Sequence, residues 1–443
     1  MPRKFIPAAV AVSKGAVSSP LPSALTTLPD HPFSDAPVPP AAFLARIDQL
    51  GPWLPDDPGL PPVGLAVSGG GDSLCLAWLA RHWRKHLLAF VVDHGLRAES
   101  AEEARLTVQR LEAMGVPARL LTLSGLTKGP GIAERARQAR YAILAQACRE
   151  VGCLDLLLGH QADDQVETIR MRQESGSGPD GLAGMGWVTA LPDVRLVRPL
   201  LGFSRQALRN TLQQAGLVWI DDPSNEDLRA TRVRVRHDLQ GQDTRQTLWK
   251  IGIEAGTARM QRDAARAESL ARRVSLRPEG WACLGPELPD AEILSGLIRA
   301  VGGLIYPPPP AAVARLLTAG QDATLAGVHL VRWRAAWFLV REVAAMSAPV
   351  PAEAGAVWDN RFECWLPSAV SGDGMLIGAA GPGLERRLRG GWPARFCATL
   401  PALWRDGQRV AVPHLGWWAE EALKEAQFVF RPPVPVTGSG VYG

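Results

Sequence analysis

None of the six cysteines (Cys75, Cys148, Cys153, Cys283, Cys364 and Cys397) forms a CxxC pair, and a chain of 443 residues can bury a core without disulfide staples. That argues against both a cysteine-metal knuckle and a disulfide framework, and points to a reduced, cytoplasmic protein. No apolar run reaches the roughly 18–20 residues that a bilayer-spanning helix needs. The small AAVAV patch near the N-terminus is interrupted by Lys14 and is too weak for a secretory signal. Only His82 and His86 have HxxxH spacing, and Trp83 stands where a zinc-protease helix carries glutamate, so the pair reads as helix surface. An excess of either charge is also missing. The 48 basic and 44 acidic side chains leave a net charge of +4, which permits a nucleic-acid partner without arguing for one. Lysine is scarce, at six against 42 arginines. A GC-rich genome accounts for that, although guanidinium is the better group for bidentate phosphate contacts. There is no internal repeat.

What is present divides the chain into four parts. Fourteen of the 37 prolines fall in residues 1–62, which reads as a Pro-rich flexible leader with one short helix near Ala41–Leu50. From Val63, apolar runs alternate with amphipathic stretches. Strands are expected at Val63–Val67, Leu87–Val92, Ala118–Leu123 and Leu154–Leu158. Helices follow each of them, ending with Ala162–Gln173. Continuous apolar strands alternating with helices predict an α/β domain over 63–240, a doubly wound parallel sheet covered on both faces. Ligands of such sheets bind beyond the carboxyl ends of the strands. Residues 241–345 read as a helical region with a small sheet, and 346–443 as a mixed C-terminal module rich in Trp and Arg.

Three polar segments fall at that expected edge. Ser68-Gly69-Gly70-Gly71-Asp72-Ser73 links the clearest strand to the clearest helix. Its glycines let backbone N–H groups approach an anion, the helix adds its positive end, and Ser68 and Ser73 can donate to phosphate oxygens. No lysine follows, so this is not the GxxxxGK[ST] loop. An acid at Asp72 suits Mg²⁺ or an amine. Asp93-His94-Gly95-Leu96-Arg97 follows the second strand and is either a nucleotide contact or a satisfied strand-end turn. Gly159-His160-Gln161-Ala162-Asp163-Asp164-Gln165-Val166-Glu167-Thr168 opens a helix, with His160, Asp164 and Glu167 on one face. That many acids exceed what capping requires and suit Mg²⁺ or an ammonium group. Glu134, Arg137, Arg140 and Tyr141 share a further helix face, which is either functional or merely solvated.

SGGGDS resembles the PP-loop of the N-type ATP pyrophosphatases, which cleave ATP to AMP and pyrophosphate while adenylating a substrate oxygen. With Asp93–Arg97, Glu134–Tyr141 and Gly159–Thr168, followed by GSGPDGLAGM (176–185), RPLL (198–201), DPSN (222–225) and RVRVR (232–236), residues 63–240 resemble the tRNA(Ile)-lysidine synthetase family. Gln173-Glu174-Ser175 replaces the arginine usual before GSG, and Ala230-Thr231 replaces the usual aromatic–acid pair.

The resemblance implies that ATP adenylates the C2 oxygen of the wobble cytidine of CAU-anticodon isoleucine tRNA, and that the ε-amine of free lysine displaces AMP. ATP and Mg²⁺ are the implied cofactors. Ser68, Gly69, Gly70, Gly71, Asp72, Ser73, Asp93 and His94 would bind the nucleotide, with Asp72 and Asp163 on the metal. Asp72, His160, Asp164 and Glu167 would be catalytic. Arg137, Arg140, Asn225, Arg232, Arg234 and Arg236 would hold tRNA, the last three alternating as on a strand or extended arm. Arg386, Arg387, Arg389 and Arg395 are either a second tRNA patch or solvated surface. Acids and arginines are thus expected at opposite ends of the enzyme. No membrane and no obligate protein partner are expected. The alternatives are a tRNA thiolase of the same superfamily, which would need cysteine pairs or an iron–sulfur cluster, and a non-catalytic tRNA-binding homologue.

Overall fold

The computed structural model describes residues 32–95, 99–123, 125, 129, 131–220, 231–239, 241–367, 374–437 and 440–442. The first part of the chain runs α1 (Pro40–Asp48), β1 (Val63–Val67), α2 (Gly71–Ala80), β2 (Leu87–Asp93), α3 (Ser100–Ala113) and β3 (Ala118–Thr122). It continues through α4 (Ile132–Val151), β4 (Asp155–Leu158), α5 (Ala162–Glu174), α6 (Pro179–Leu182), β5 (Val188–Ala190), β6 (Arg195–Val197) and α7 (Arg205–Gln214). Two further helices, α8 (Thr231–Asp238) and α9 (Gln242–Arg273), complete this part.

The strands lie in the order β5-β6-β4-β1-β2-β3, and β6, β4, β1, β2 and β3 are mutually parallel. Apolar side chains cover both faces of this sheet. Leu65 and Val67 of β1 pack with α2, α3 and α7 in one cluster, while Phe90, Leu156 and Leu158 pack with Leu144 and Ala147 of α4 in another. This is the buried, doubly covered arrangement that unbroken apolar strands encode. The polar segments after β1, β2 and β4 therefore emerge on one edge.

Three features depart from the expectations. Phe33, Val38, Phe43, Ile47 and Leu50 are buried in the sheet's own core, with Phe43, Ile47 and Leu50 at i, i+4, i+7 spacing. From Phe33 onward the expected leader is built into the fold; residues 1–31 lie outside the described residues. The stretch Arg232–Arg236 is a helix and not a strand or extended arm. Its period-two alternation is overridden because Val235 and Leu239, one turn apart, are both buried in the core. Finally, Gly440–Tyr442 returns from the C-terminal part to pair antiparallel with β5, outside the parallel strands.

Beyond α9 lie β7 (Ser275–Leu276), β8 (Ala282–Gly285), α10 (Ala291–Gly302), α11 (Pro310–Ala319), β9 (Ala323–Leu325), β10 (Val328–Trp333) and β11 (Ala336–Arg341). These strands form a five-stranded sheet backed by α10 and α11. Residues 350–430 add one five-stranded and one three-stranded sheet. A buried ion network joins these parts. Asp359 accepts from Arg341 of β11 at 3.1 Å and from Arg361 at 2.8 Å. Among the described residues no helix is long and apolar enough to cross a membrane.

Candidate active site

The glycine loop is held from several sides. Gly69 has φ +88°, and a Cβ there would lie 2.3 Å from Thr107 Oγ1 of α3, so both the backbone and the space require glycine. The Ile220 amide donates to the Gly69 carbonyl at 3.1 Å, and Trp219 lies against Gly71. Ser73 ties the turn together. Its hydroxyl donates to the Gly70 carbonyl at 3.0 Å and accepts the Ser68 amide at 3.1 Å. The loop then passes into α2, ten residues long, with Gly70 at its N-cap. No side chain caps that helix start, the arrangement in which N–H groups and dipole favour an anion.

Gly159 brings the second segment close. A Cβ there would meet Ser73 Cα at 3.0 Å, so the end of β4 lies directly against the glycine loop. From it α5 starts with a capping box, in which Gln161 accepts from the Asp163 and Asp164 amides and the Gln161 amide donates to Asp164 Oδ2 at 3.2 Å. Asp163, Asp164 and Glu167 then meet arginines from three later helices. Arg205, first residue of α7, reaches Asp164 at 3.3 Å, Asp72 at 3.7 Å and Glu167 at 3.8 Å. Arg232 Nε donates to Glu167 Oε2 at 2.8 Å and Arg236 Nε to Glu167 Oε1 at 2.7 Å, and Arg232 also meets Asp164 at 3.1 Å. Arg245 of α9 donates to Asp163 at 3.0 Å. The Glu167 side chain is 1% exposed.

Asp72 lies at the junction. Burial pushes its carboxyl up to about 6, Arg205 opposes the shift, and the Asp164 charge adds to it. For Arg205, burial alone would lower the guanidinium, but Asp164, Asp72 and Glu167 outweigh it and the net shift is upward. His160 is held far below the usual imidazole range, to about 3, first by burial and then by the positive charges of Arg198, Arg232, Arg137 and Arg140. It is therefore neutral at physiological pH, and its Nδ1 is buried without a hydrogen-bond partner. Those arginines form a basic wall beside the acids. Arg198 is buried and donates to the Gly186 carbonyl at 2.6 Å, while Arg137 is exposed and stacks over Tyr141 at 5.1 Å.

The structure thus brings together Ser68–Ser73, His160, Asp163, Asp164, Glu167, Arg232 and Arg236, with Arg137 and Arg140 near enough to act on His160. The expected separation of acids from the 232–236 arginines does not hold, since Arg232 and Arg236 sit on Glu167 itself. Arg234 is exposed on the opposite side of α8. Asp93 serves its own turn, accepting the Ser100 hydroxyl at 2.7 Å and the Gly95 amide at 2.9 Å. Burial raises its carboxyl, but these bonds outweigh burial and hold it below the usual range. Asn225, with the rest of DPSN, and Leu96–Arg97 lie outside the described residues.

Arg205 and Arg245 were missed in the sequence, where neither stands in a recognisable pattern. Arg205 follows RPLL by only a few residues, and that nearness was the one available signal. The donors suit a nucleotide's phosphates at the glycine loop. Of the two carboxylates expected on magnesium, Asp163 is already engaged. Among the described residues no three His, Cys, Asp or Glu side chains group for a metal. One Asp163 oxygen accepts the Arg245 guanidinium and the other the Arg205 amide.

A family model described as a PP-loop domain matches residues 49–242. The tRNA(Ile)-lysidine synthase of Ruegeria pomeroyi is 35% identical over 400 residues, which cover 83% of this chain and 93% of that one. The Novosphingobium aromaticivorans synthase of the same name is 39% identical over 299 residues, covering 64% and 90% of the two chains. The Bradyrhizobium diazoefficiens synthase is 36% identical over 296 residues, covering 60% and 80%. A solved U34-tRNA thiolase from Methanococcus maripaludis overlaps 45% of this chain and 72% of its own at 20% identity and a TM-score of 0.38, too loose a match to bear on chemistry. With its glycine loop, its carboxylate helix start and relatives aligned over nearly their whole length, the chain belongs to the tRNA(Ile)-lysidine synthase family.

Proposed function

We infer that the chain joins free L-lysine to C2 of the wobble cytidine of isoleucine tRNA bearing a CAU anticodon, with ATP as co-substrate, as a ligase of the bacterial cytoplasm. One observation carries the reading beyond family membership: an anion-binding loop and a carboxylate cluster adjoin, bridged by Arg205 between Asp72 and the Asp164–Glu167 pair. The substrates require that pairing. The nucleotide brings phosphates and the lysine brings a cation.

The chemistry follows in two balanced steps. The cytidine O2 attacks the α-phosphorus of ATP, and pyrophosphate leaves. The lysine ε-ammonium then gives one proton to solvent, the free amine attacks C2, the C2–O bond breaks so that AMP leaves, and the nitrogen releases a second proton to solvent. Ser68–Ser73 would hold the pyrophosphate portion, with backbone amides and the α2 N-terminus offsetting its charge. Asp164 and Glu167 would orient lysine through its ammonium charge. Asp164 is the more accessible of the two, at 13% against 1% exposure, and so is the better placed to touch the amine. A cavity of about 180 Å³, lined by Asp163, Val166, Glu167, Arg236, Leu239 and Arg245, lies on the same side of α5. His160 would act as a neutral hydrogen-bonding group, since an imidazole surrounded by arginines is a poor proton carrier. Arg137 and Arg140 would face tRNA phosphates, as would Arg232 and Arg236 once drawn off Glu167. No step is assigned to magnesium.

A thiolase reading has less support. Cys75, on the helix after the glycine loop, is fully buried, and burial pushes its thiol well up. The test is transfer of radiolabelled lysine to isoleucine tRNA with CAU, with methionine tRNA of the same anticodon as the control. Labelling of the first alone supports the reading; labelling of neither overturns it.

A further inference from the structure

Arg205 differs from the other arginines of the cluster in being shared between carboxylates of two helices. Arg232 and Arg236 hold Glu167 at 2.8 and 2.7 Å, and Arg245 holds Asp163 at 3.0 Å. Arg205 stands at 3.7, 3.3 and 3.8 Å from three carboxylates on two helices, Asp72 of α2 and Asp164 and Glu167 of α5 respectively. Its backbone is fixed while its guanidinium is divided. The Arg205 amide donates to Asp163 Oδ2 at 2.9 Å, and Ser204 caps the helix by accepting the Ala207 amide at 3.0 Å.

Within the ion pairs the charges balance: Asp72, Asp163, Asp164 and Glu167 face Arg205, Arg232, Arg236 and Arg245, four against four, and Arg209 of α7 adds its positive charge near Asp72. An anion added at the glycine loop, or a cation added at Asp164, disturbs that balance in this part-buried site. Adding both restores it, provided one charge can move between the two places. Only Arg205 touches carboxylates on both sides among the contacts described.

The geometry assigns Arg205 the role of a shared counter-ion coupling the glycine loop to the carboxylate pair. A polyphosphate on the loop draws the guanidinium toward Asp72 and the phosphates. Asp164 and Glu167 then have more uncompensated charge to offer an ammonium group, so the two ligands bind with positive cooperativity. Arg205 is a positioning residue in this scheme, and the scheme rests on the function inferred above.

The experiment is calorimetric titration of the full chain with L-lysine, with and without a non-hydrolysable ATP analogue supplied with magnesium. In the wild type, the analogue tightens lysine binding on the order of tenfold. In Arg205→Gln the ratio falls to about one, because lysine alone binds more tightly than to the wild type. Arg205→Lys, which keeps the charge without the planar fork, retains part of the ratio. A merely structural residue would weaken lysine binding in both states, and that result overturns the proposal. So does an unchanged ratio in Arg205→Gln. Should Arg205→Gln not fold, Asp72→Asn breaks the same link from the loop side and must likewise bring the ratio toward one. A wild type that charges isoleucine tRNA with lysine but shows a ratio of one overturns the coupling alone. A wild type that never transfers lysine overturns the function reading, and the coupling with it.

Discussion

Arg236 Nε donates to Glu167 Oε1 at 2.7 Å, and this contact joins α8 to the start of α5 across 69 residues of sequence. Glu167 receives Arg232 on its other oxygen, and its side chain is 1% exposed. Removing the carboxylate would leave two part-exposed guanidinium groups facing one another over an emptied buried position. With the arginines still reached by water, Glu167→Ala is expected to cost about 1–3 kcal/mol of unfolding free energy, and Glu167→Gln less, since it keeps one acceptor. Urea unfolding checks this. A loss below about 1 kcal/mol for Glu167→Ala would mean that the arginines find other partners and that α8 is not anchored here.

Asp164 makes a different prediction, because it is the more open carboxylate and meets both Arg205 and Arg232. Asp164→Ala is expected to lower kcat/KM for lysine by at least about 100-fold. The effect on KM for ATP should be much smaller. Initial rates of lysine transfer, measured while each substrate is varied, separate the two. Full activity in this variant would remove Asp164 from the amine site.

Gly69→Ala tests the loop. The new Cβ would lie 2.3 Å from Thr107 Oγ1 at a backbone φ of +88°. Two costs add there, a collision and a conformational strain of about 1–2 kcal/mol. Adding Thr107→Ala removes the colliding oxygen but not the strain. The double variant should therefore recover part of the melting temperature while KM for ATP stays raised. Complete recovery of both would show that the backbone conformation is not required.

Much of this was legible in the chain before folding. Val63–Val67 was read to the residue, because a strand buried on both faces is an unbroken apolar run with a glycine loop as its end signal. GHQADDQVET was legible as a helix start with excess acid. The arginine partners were not. Arg205 lies 41 residues from Asp164 and Arg232 lies 65 from Glu167, and no local pattern marks either pairing. In RVRVR the alternation pointed to a strand. What decided the helix was the burial of Val235 and Leu239 one turn apart, a tertiary fact. The short helix near Ala41–Leu50 was legible, but the prolines around it hid that Phe43, Ile47 and Leu50 are part of the core.

Two groups of the site should leave opposite marks on the pH dependence of stability. His160 is lowered from 6.5 to about 3, so below pH 6.5 the unfolded chain takes up a proton that the folded chain refuses. Its contribution is fully present above pH 6.5 and is lost as pH falls toward 3. Asp72 is raised from 3.8 to about 6, so between these values the folded chain holds the proton. Its contribution grows as pH falls from about 6 to 4 and is lost as pH rises through 6. In the window from pH 6 to 4 the two oppose each other. His160→Gln should therefore flatten the loss of stability on acidification, whereas Asp72→Asn should steepen it. Urea midpoints at pH 7.5, 6.0 and 5.0 for the wild type and both variants give the slopes directly. Parallel slopes in all three proteins would mean that neither group is shifted in the folded state.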